Sequence, residues 1–281
     1  MKKVLFICFM FPLMCFAQKE TYQIFNSQSR QVKYSKLLKK AAKADVILFG
    51  EFHDNPIIHW LQLELTSDLF ELDSNLILGA EMMESDNQLI IDEYLAGYYN
   101  SKKLISESKT WPNFETDYLP LLEFSKTNNL KFIATNIPRR YASMVYNFGV
   151  DTLLSLSDKA KELITPLPFI CDTTLESYKE ILEMGMGHGG DNLPKSQGIK
   201  DATMAHFINK NINVDAKFIH FNGAFHSKNY EGIYWYLKQL KPDLNILTIG
   251  CEEQDEIATL NDKHNKADFI IVTPTNMTKT H

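Results

Sequence analysis

The chain has 281 residues, 44% hydrophobic, 23% charged and 12% aromatic, a mixture that excludes a disordered chain, a collagen-like repeat and a small disulfide scaffold. Its 29 basic and 35 acidic residues leave a net charge of −6, and no Lys/Arg run makes a basic stripe, which argues against nucleic acid as the main partner. A chain this long buries roughly three quarters of its extended surface, so any metal it holds serves function rather than folding.

Lys2 and Lys3, the apolar stretch Val4 to Phe16, the small Ala17 and the polar Gln18-Lys19-Glu20 follow each other in the layout of an export signal. The apolar part is too short to span a bilayer. Residues 1–17 are therefore expected to be removed, leaving a periplasmic or secreted chain over 18–281. Met14 stands where a lipid-attachment signal has a small residue, so simple cleavage is favoured over anchoring at Cys15. Cleavage leaves Cys171 and Cys251 as the cysteines able to pair outside the cytoplasm. No later apolar run approaches the roughly 20 residues of a membrane helix.

Short apolar runs read as buried strands at Val46–Phe49, Leu76–Leu78, Phe132–Ala134, Phe218–Phe221, Ile246–Ile249 and Phe269–Val272. Helical segments lie between them. Asn55-Pro56 predicts an N-cap and first-turn proline, followed by Ile57, Leu61, Leu65 and Leu69 on one face. Ser85-Asp86-Asn87-Gln88 fits a capping box ahead of Leu89, with Gly97 closing that helix. A further helix is predicted from about Tyr118 to Lys126, and Asn229 is expected to cap one carrying Ile233, Tyr234 and Leu237. The stretch from about 138 to 212 shows no strand and reads as a helical insertion. The polar tail from Thr273 is expected to fray. Strands alternating with helices predict an α/β fold, a mostly parallel sheet covered on both faces, in one domain over 18–281.

Polar residues gather directly after the strands: Gly50-Glu51-Phe52-His53, Gly79-Ala80-Glu81, Asn136 with Arg139-Arg140, and Gly223-Ala224-Phe225-His226. Ligands of open parallel sheets bind beyond the carboxyl ends of the strands, so Glu51, His53, Glu81 and His226 are candidate catalytic residues. Glu51, His53 and His226 offer a mixed N/O set for Zn, Mn or Fe; alternatively a carboxylate acts as general base while the histidines polarise a substrate. Capping and loop hydrogen bonding are the plain structural reading of the same residues. Arg139 and Arg140 have the chemistry to clamp a carboxylate or phosphate. His59, inside the first helix, is expected to face solvent or neighbouring side chains. The segment Glu183 to Gly190 surrounds His188 with glycines and two methionines, donors suited to haem iron or copper, although a plain loop has the same composition. Two tyrosine groups, around Tyr94, Tyr98 and Tyr99 and around Tyr230, Tyr234 and Tyr236, could stack on a flat ligand. Gly185 to Gly190 spells Gly-x-Gly-x-x-Gly but follows no apolar run that reads as a strand, so the Rossmann fingerprint has no support, and Walker A, Gly-x-Ser-x-Gly and Cys-x-x-Cys patterns do not occur in the sequence.

The run Ala44 to Pro56 resembles the opening of the ChaN-like family, haem-binding, iron-regulated exported proteins of the Tiki superfamily. Gly79-Ala80-Glu81-Met82-Met83-Glu84, Asp92 to Gly97, Trp111 with Asp117-Tyr118, Asn136-Ile137-Pro138-Arg139, Gln197-x-x-x-Asp201 with Met204-Ala205, and Asn222-Gly223-x-x-His226 agree with it in order. The resemblance implies a parallel sheet with a helical subdomain and haem binding for iron acquisition, with a homodimer interface as the place for haem. No motif of the resemblance assigns the iron ligand; on a haem-binding reading Arg139 or Arg140 would pair with the propionates and a Tyr or His, His188 among them, would ligate the iron. The superfamily also contains metal-dependent proteases marked by two Gly-x-x-His motifs and a glutamate, which Gly50 to His53, Gly223 to His226 and Glu81 match. The alternative it implies is therefore a metal-dependent hydrolase.

Overall fold

The computed structural model of the protein describes residues 19–184, 190–213, 215–261 and 266–280. Two short strands open it, β1 (Gln23–Asn26) and β2 (Gln31–Val32). The six apolar runs follow as β3 (Val46–Glu51), β4 (Leu76–Glu84), β5 (Lys131–Asn136), β6 (Lys217–Gly223), β7 (Ile246–Gln254) and β8 (Phe269–Pro274). They form one sheet of order β2-β1-β8-β7-β3-β6-β4-β5. The strands from β3 to β8 pair in parallel, whereas β1 is antiparallel to β8 and β2 to β1. The chain lays down β3, β4 and β5 in one direction, returns β6 into the gap between β3 and β4, and then builds outward on the other side of β3. The crevice expected where a parallel sheet reverses its order therefore falls at β3, β6 and β4.

The alternation of side chains along each strand sorts the helices onto two faces. On β3, Ile47 and Phe49 pack under α1 (Tyr34–Ala41), α2 (Pro56–Leu72), α3 (Gln88–Leu95), α4 (Ser101–Glu107) and α5 (Leu119–Thr127). Val46 and Leu48 point the other way. Between β5 and β6 come α6 (Arg139–Phe148), α7 (Asp158–Lys161), α8 (Glu176–Met184) and α9 (Asn192–Asn211), with no strand among the described residues, and α10 (Ile233–Leu240) follows β6. Met204, Ala205 and Ile208 of α9 and Ile233 and Leu237 of α10 cover Val46 and Leu48. Each such fully buried Leu or Ile contributes about 1.5–3 kcal/mol over its exposed state. No helix among the described residues is long and apolar enough to cross a membrane.

Several local expectations are corrected. Glu51 and Glu81 lie inside strands, not beyond them, because pairing continues past the apolar run, with Glu51 opposite Gly223. The capping box at Ser85 does not form. A single 3₁₀ turn occupies Ser85–Asn87 with no side-chain cap, because the Gln88 amide is used elsewhere: its Nε2 donates to Phe132 O at 2.9 Å and its Oε1 accepts from Ala134 N–H at 2.7 Å, along the free edge of β5. Asn229 is not the cap of α10; it sits at φ 58° in a kinked turn, and Gly232 precedes the helix. The residues after β8 do not fray but pack against the β3–α2 loop. Cys171 and Cys251 are both free thiols.

The predicted start of α2 is the best-defined of the helix ends. Asn55 Oδ1 accepts from the N–H groups of Ile57 and Ile58, both at 3.1 Å, ahead of Pro56. Its Nδ2 donates to Glu253 Oε1 and Thr273 Oγ1, both at 2.8 Å, tying the helix start to β7 and β8. Asn55→Ala removes a cap worth about 1 kcal/mol and strands buried partners at a further cost of about 1 kcal/mol or more. Urea unfolding should show a loss of about 2 kcal/mol, and a loss under about 0.5 kcal/mol would contradict this account.

Candidate functional site

Glu51 continues the Ile47–Phe49 series and so turns to the α2 side of the sheet. Its carboxylate is almost fully buried and fully engaged: Oε1 accepts from Tyr118 OH at 2.7 Å and meets His53 Nδ1 at 2.8 Å, and Oε2 accepts from Gln62 Nε2 at 2.6 Å. Burial, followed by the charge of Glu51, holds the Tyr118 phenol well above its usual range, so it stays protonated and donates. His53 is the accessible member of the group, its side chain 36% exposed and its ring edge-on to Trp111. Its carbonyl is pinned by Asn113 Nδ2 at 2.7 Å and by His59 Nε2 at 3.1 Å. Burial opposes a charge on His53, but the Glu51 bond and the nearby Glu81 outweigh it and raise its pKa. His59 thus faces neighbouring side chains.

Glu81 has the opposite parity on β4 and serves the α9 side. Oε2 accepts from the Gly223 N–H at 2.7 Å and Oε1 lies 3.0 Å from His226 Nε2. The other nitrogen of His226 bonds Asp201 of α9, whose Oδ2 accepts from Tyr178 OH at 2.7 Å. The Gln197 amide lies 3.0 Å from each ring nitrogen. Burial opposes the imidazolium, yet Glu81 and Asp201 on either side push the His226 pKa up to about 10. Burial likewise opposes the Glu81 charge, and His226 and His53 override it, keeping this carboxyl well below its usual range.

The two half-sites meet over Gly223. A Cβ at this position would stand 2.9 Å from His53 Nε2 and 3.4 Å from Glu81 Oε2, so only glycine leaves room for His53 to approach Glu81. Above them opens a cleft of about 550 Å³, lined by Phe52, His53, Phe225, His226, Glu252 and Lys279 among others. The structure thus brings together Glu51, His53, Glu81 and His226. It does not arrange Glu51, His53 and His226 as a ligand set: both Glu51 oxygens, His53 Nδ1 and both His226 nitrogens are taken by protein partners. Among the described residues no group of three His, Cys, Asp or Glu side chains is placed to hold a metal.

Arg139 and Arg140 are not in this cleft. They open α6 at the surface, where Arg140 pairs with Asp86 and lies 4.4 Å from the Tyr141 ring centre. His188 lies outside the described residues. Sequence reading missed the roles of Asp201, Tyr118 and Gln62. Gln197 and Asp201, one helical turn apart, were a usable signal for one polar patch on an otherwise buried helix face; nothing local marked Gln62 or Tyr118 as partners of a strand-end carboxylate.

The sequence from 37 to 237 matches the family described as haem-binding uptake, Tiki superfamily, ChaN. The chain belongs to the ChaN family. Among solved structures it is similar to ChaN of Campylobacter jejuni, described with cofacial haem binding, at TM-score 0.70 and 19% identity over 90% of this chain and 97% of that one. A protein from Bacillus cereus follows at TM-score 0.52 and 11% identity, covering 85% and 90%. An erythromycin esterase mutant in its open conformation has TM-score 0.49 and 12% identity, covering 90% and 83%. No curated protein matches the chain.

The charge arrangement fixes a pH dependence. His226 binds its proton more tightly folded, near 10, than at its ordinary value of 6.5. Stability drawn from that proton is complete below about pH 6.5 and is lost as pH rises through about 10. Thermal unfolding across this window should show a falling Tm, and His226→Gln should lower Tm at neutral pH while flattening the slope. An unchanged slope in that variant would place the titration elsewhere.

Proposed function

We propose that this protein is an exported haem-binding protein of haem and iron acquisition. The family match over 37–237 carries this reading, and the export-signal layout of residues 1–17 supports it. Haem asks for an apolar surface, an axial donor and cations for its propionates. Of the twelve tyrosines, only Tyr98 and Tyr146 are exposed. Most of the others turn their hydroxyls into the protein, Tyr94 onto Glu123, Tyr99 onto Ile90 O and Tyr236 onto Ile170 O. Tyr146 stands two helical turns from the exposed Arg139 on one face of α6, while Phe148, 75% exposed, lies on the other side of the helix. That face offers two of the three: Tyr146 would supply the phenolate donor and Arg139 a propionate partner. Haem bound there is cargo, not a reagent of the protein. Haemin titration of residues 18–281 should give a saturable, sharp Soret shift at fixed stoichiometry, weakened about tenfold or more by Tyr146→Phe and little by Tyr98→Phe. A broad, non-saturating signal would sink the haem reading.

A second reading, hydrolysis, is favoured by one observation: two imidazole–carboxylate pairs meet over Gly223 at the floor of an open cleft. With Glu51 on Nδ1, His53 would exchange protons through Nε2, as a general base or acid toward a substrate or water in the cleft. The committed donor atoms do not fit a metal, so this reading takes the form of acid–base hydrolysis. Against a panel of carboxylic esters, any turnover should fall by 10²–10⁴-fold in His53→Ala. Turnover equal in the two proteins would remove His53 from the chemistry.

A further inference from the structure

The loop that carries His53 is held from two sides, and one of them is remote in sequence. After β8 the chain turns back through a Thr275 N–H bond to Gln254 O at 3.1 Å and runs over the β3–α2 loop. There Lys279 Nζ bridges Asp54 Oδ1, at 3.2 Å, and Glu253 at the end of β7. The Thr280 N–H donates to Asp54 O at 3.1 Å, and its hydroxyl donates to Asp117 Oδ2 at 2.8 Å. Asp117 Oδ2 also accepts from Asn113 Nδ2 at 2.6 Å, the amide that pins the His53 carbonyl. Residues 52–55 are thus clamped between the Asn113–Asp117 turn and the segment 275–280.

The same segment shapes the cavities. Lys279 lines the 550 Å³ cleft that holds His53. Thr280 lines a second cavity of about 300 Å³, bordered by Pro56, His59, Trp60 and Asp117. The pair Lys279-Thr280, bonded to Asp54, stands between the two spaces.

We propose that residues 275–280 form a strap that positions His53 and partitions the cleft, so that its release loosens the His53 loop and joins the two cavities into one larger depression. Lys279 and Thr280 are positioning residues: they touch Asp54 and Asp117, not His53 itself. The proposal goes beyond the haem and hydrolase readings and holds whatever ligand the cleft takes. The contacts are few, polar and partly exposed, the type that opens locally at little cost compared with global unfolding.

The test reads His53 directly in the full chain. At fixed pH, acylation of each histidine by diethylpyrocarbonate is followed by mass spectrometry, together with hydrogen exchange of residues 52–55. In the Lys279→Met/Thr280→Val double variant, His53 should react about tenfold faster and amides 52–55 should exchange faster, with His206 unchanged. Lys279→Arg/Thr280→Ser should restore the parental rate. His53 reacting within twofold of the parent in the first variant would overturn the strap, as would a parallel rise at His206, which reports general loosening. If the double variant fails to fold, Thr280→Val alone is read in the same way. Because no haem and no substrate is present, the outcome is independent of either functional reading.

Discussion

Two carboxylates, Glu51 and Glu81, are buried at the carboxyl edge of a parallel sheet, one turned to each face, and both are almost wholly withdrawn from solvent. An uncompensated buried charge costs about 3–5 kcal/mol, enough to unsettle an ordinary domain. Much of the surrounding architecture is the answer to that constraint. On one face Gln62, Tyr118 and His53 surround Glu51. On the other His226 and the Gly223 N–H hold Glu81, and Asp201 with Tyr178 supports the imidazolium in turn. Tyr118 from the turn before α5 and Asp201 from α9 are thereby fixed in place by electrostatics as much as by packing.

The sheet order explains how residues so far apart in sequence converge. β6 enters last between β3 and β4 and brings Gly223 under both earlier carboxylates. A side chain at 223 would separate the halves, so the lack of a Cβ at one position couples the two faces of the sheet. The buried His220, two residues before Asn222, completes the strand end without joining the site. Burial pushes its pKa down to about 4, and it stays neutral between Thr135 and Asn222.

The elements that were legible in the sequence are those whose signal is local. Val46–Phe49 is four apolar residues between turn-formers, and Asn55-Pro56 is a cap that needs no distant partner. β1 was not legible, because Gln23-Ile24-Phe25-Asn26 shows little apolar length and owes its place to pairing with β8. Gln88 was misread because its capping role competes with a tertiary one that pairing information alone reveals. At the site, Glu51, His53, Glu81 and His226 stood out by following short apolar runs, whereas Gln62 and Tyr118 act from helical segments whose rotation the sequence does not specify. The segment after β8 looked frayed because it is polar, yet polar residues are what a carboxylate-rich loop binds.

Gln88 also bears on how the protein meets other molecules. Its primary amide occupies, at Phe132 and Ala134, the positions that the peptide groups of a ninth strand would take. An open sheet edge is a template for adding strands from another chain, and here a single side chain already holds two of its backbone groups. Strand addition at that border would first have to evict the glutamine, and the opposite border, β2, offers only the two residues Gln31–Val32.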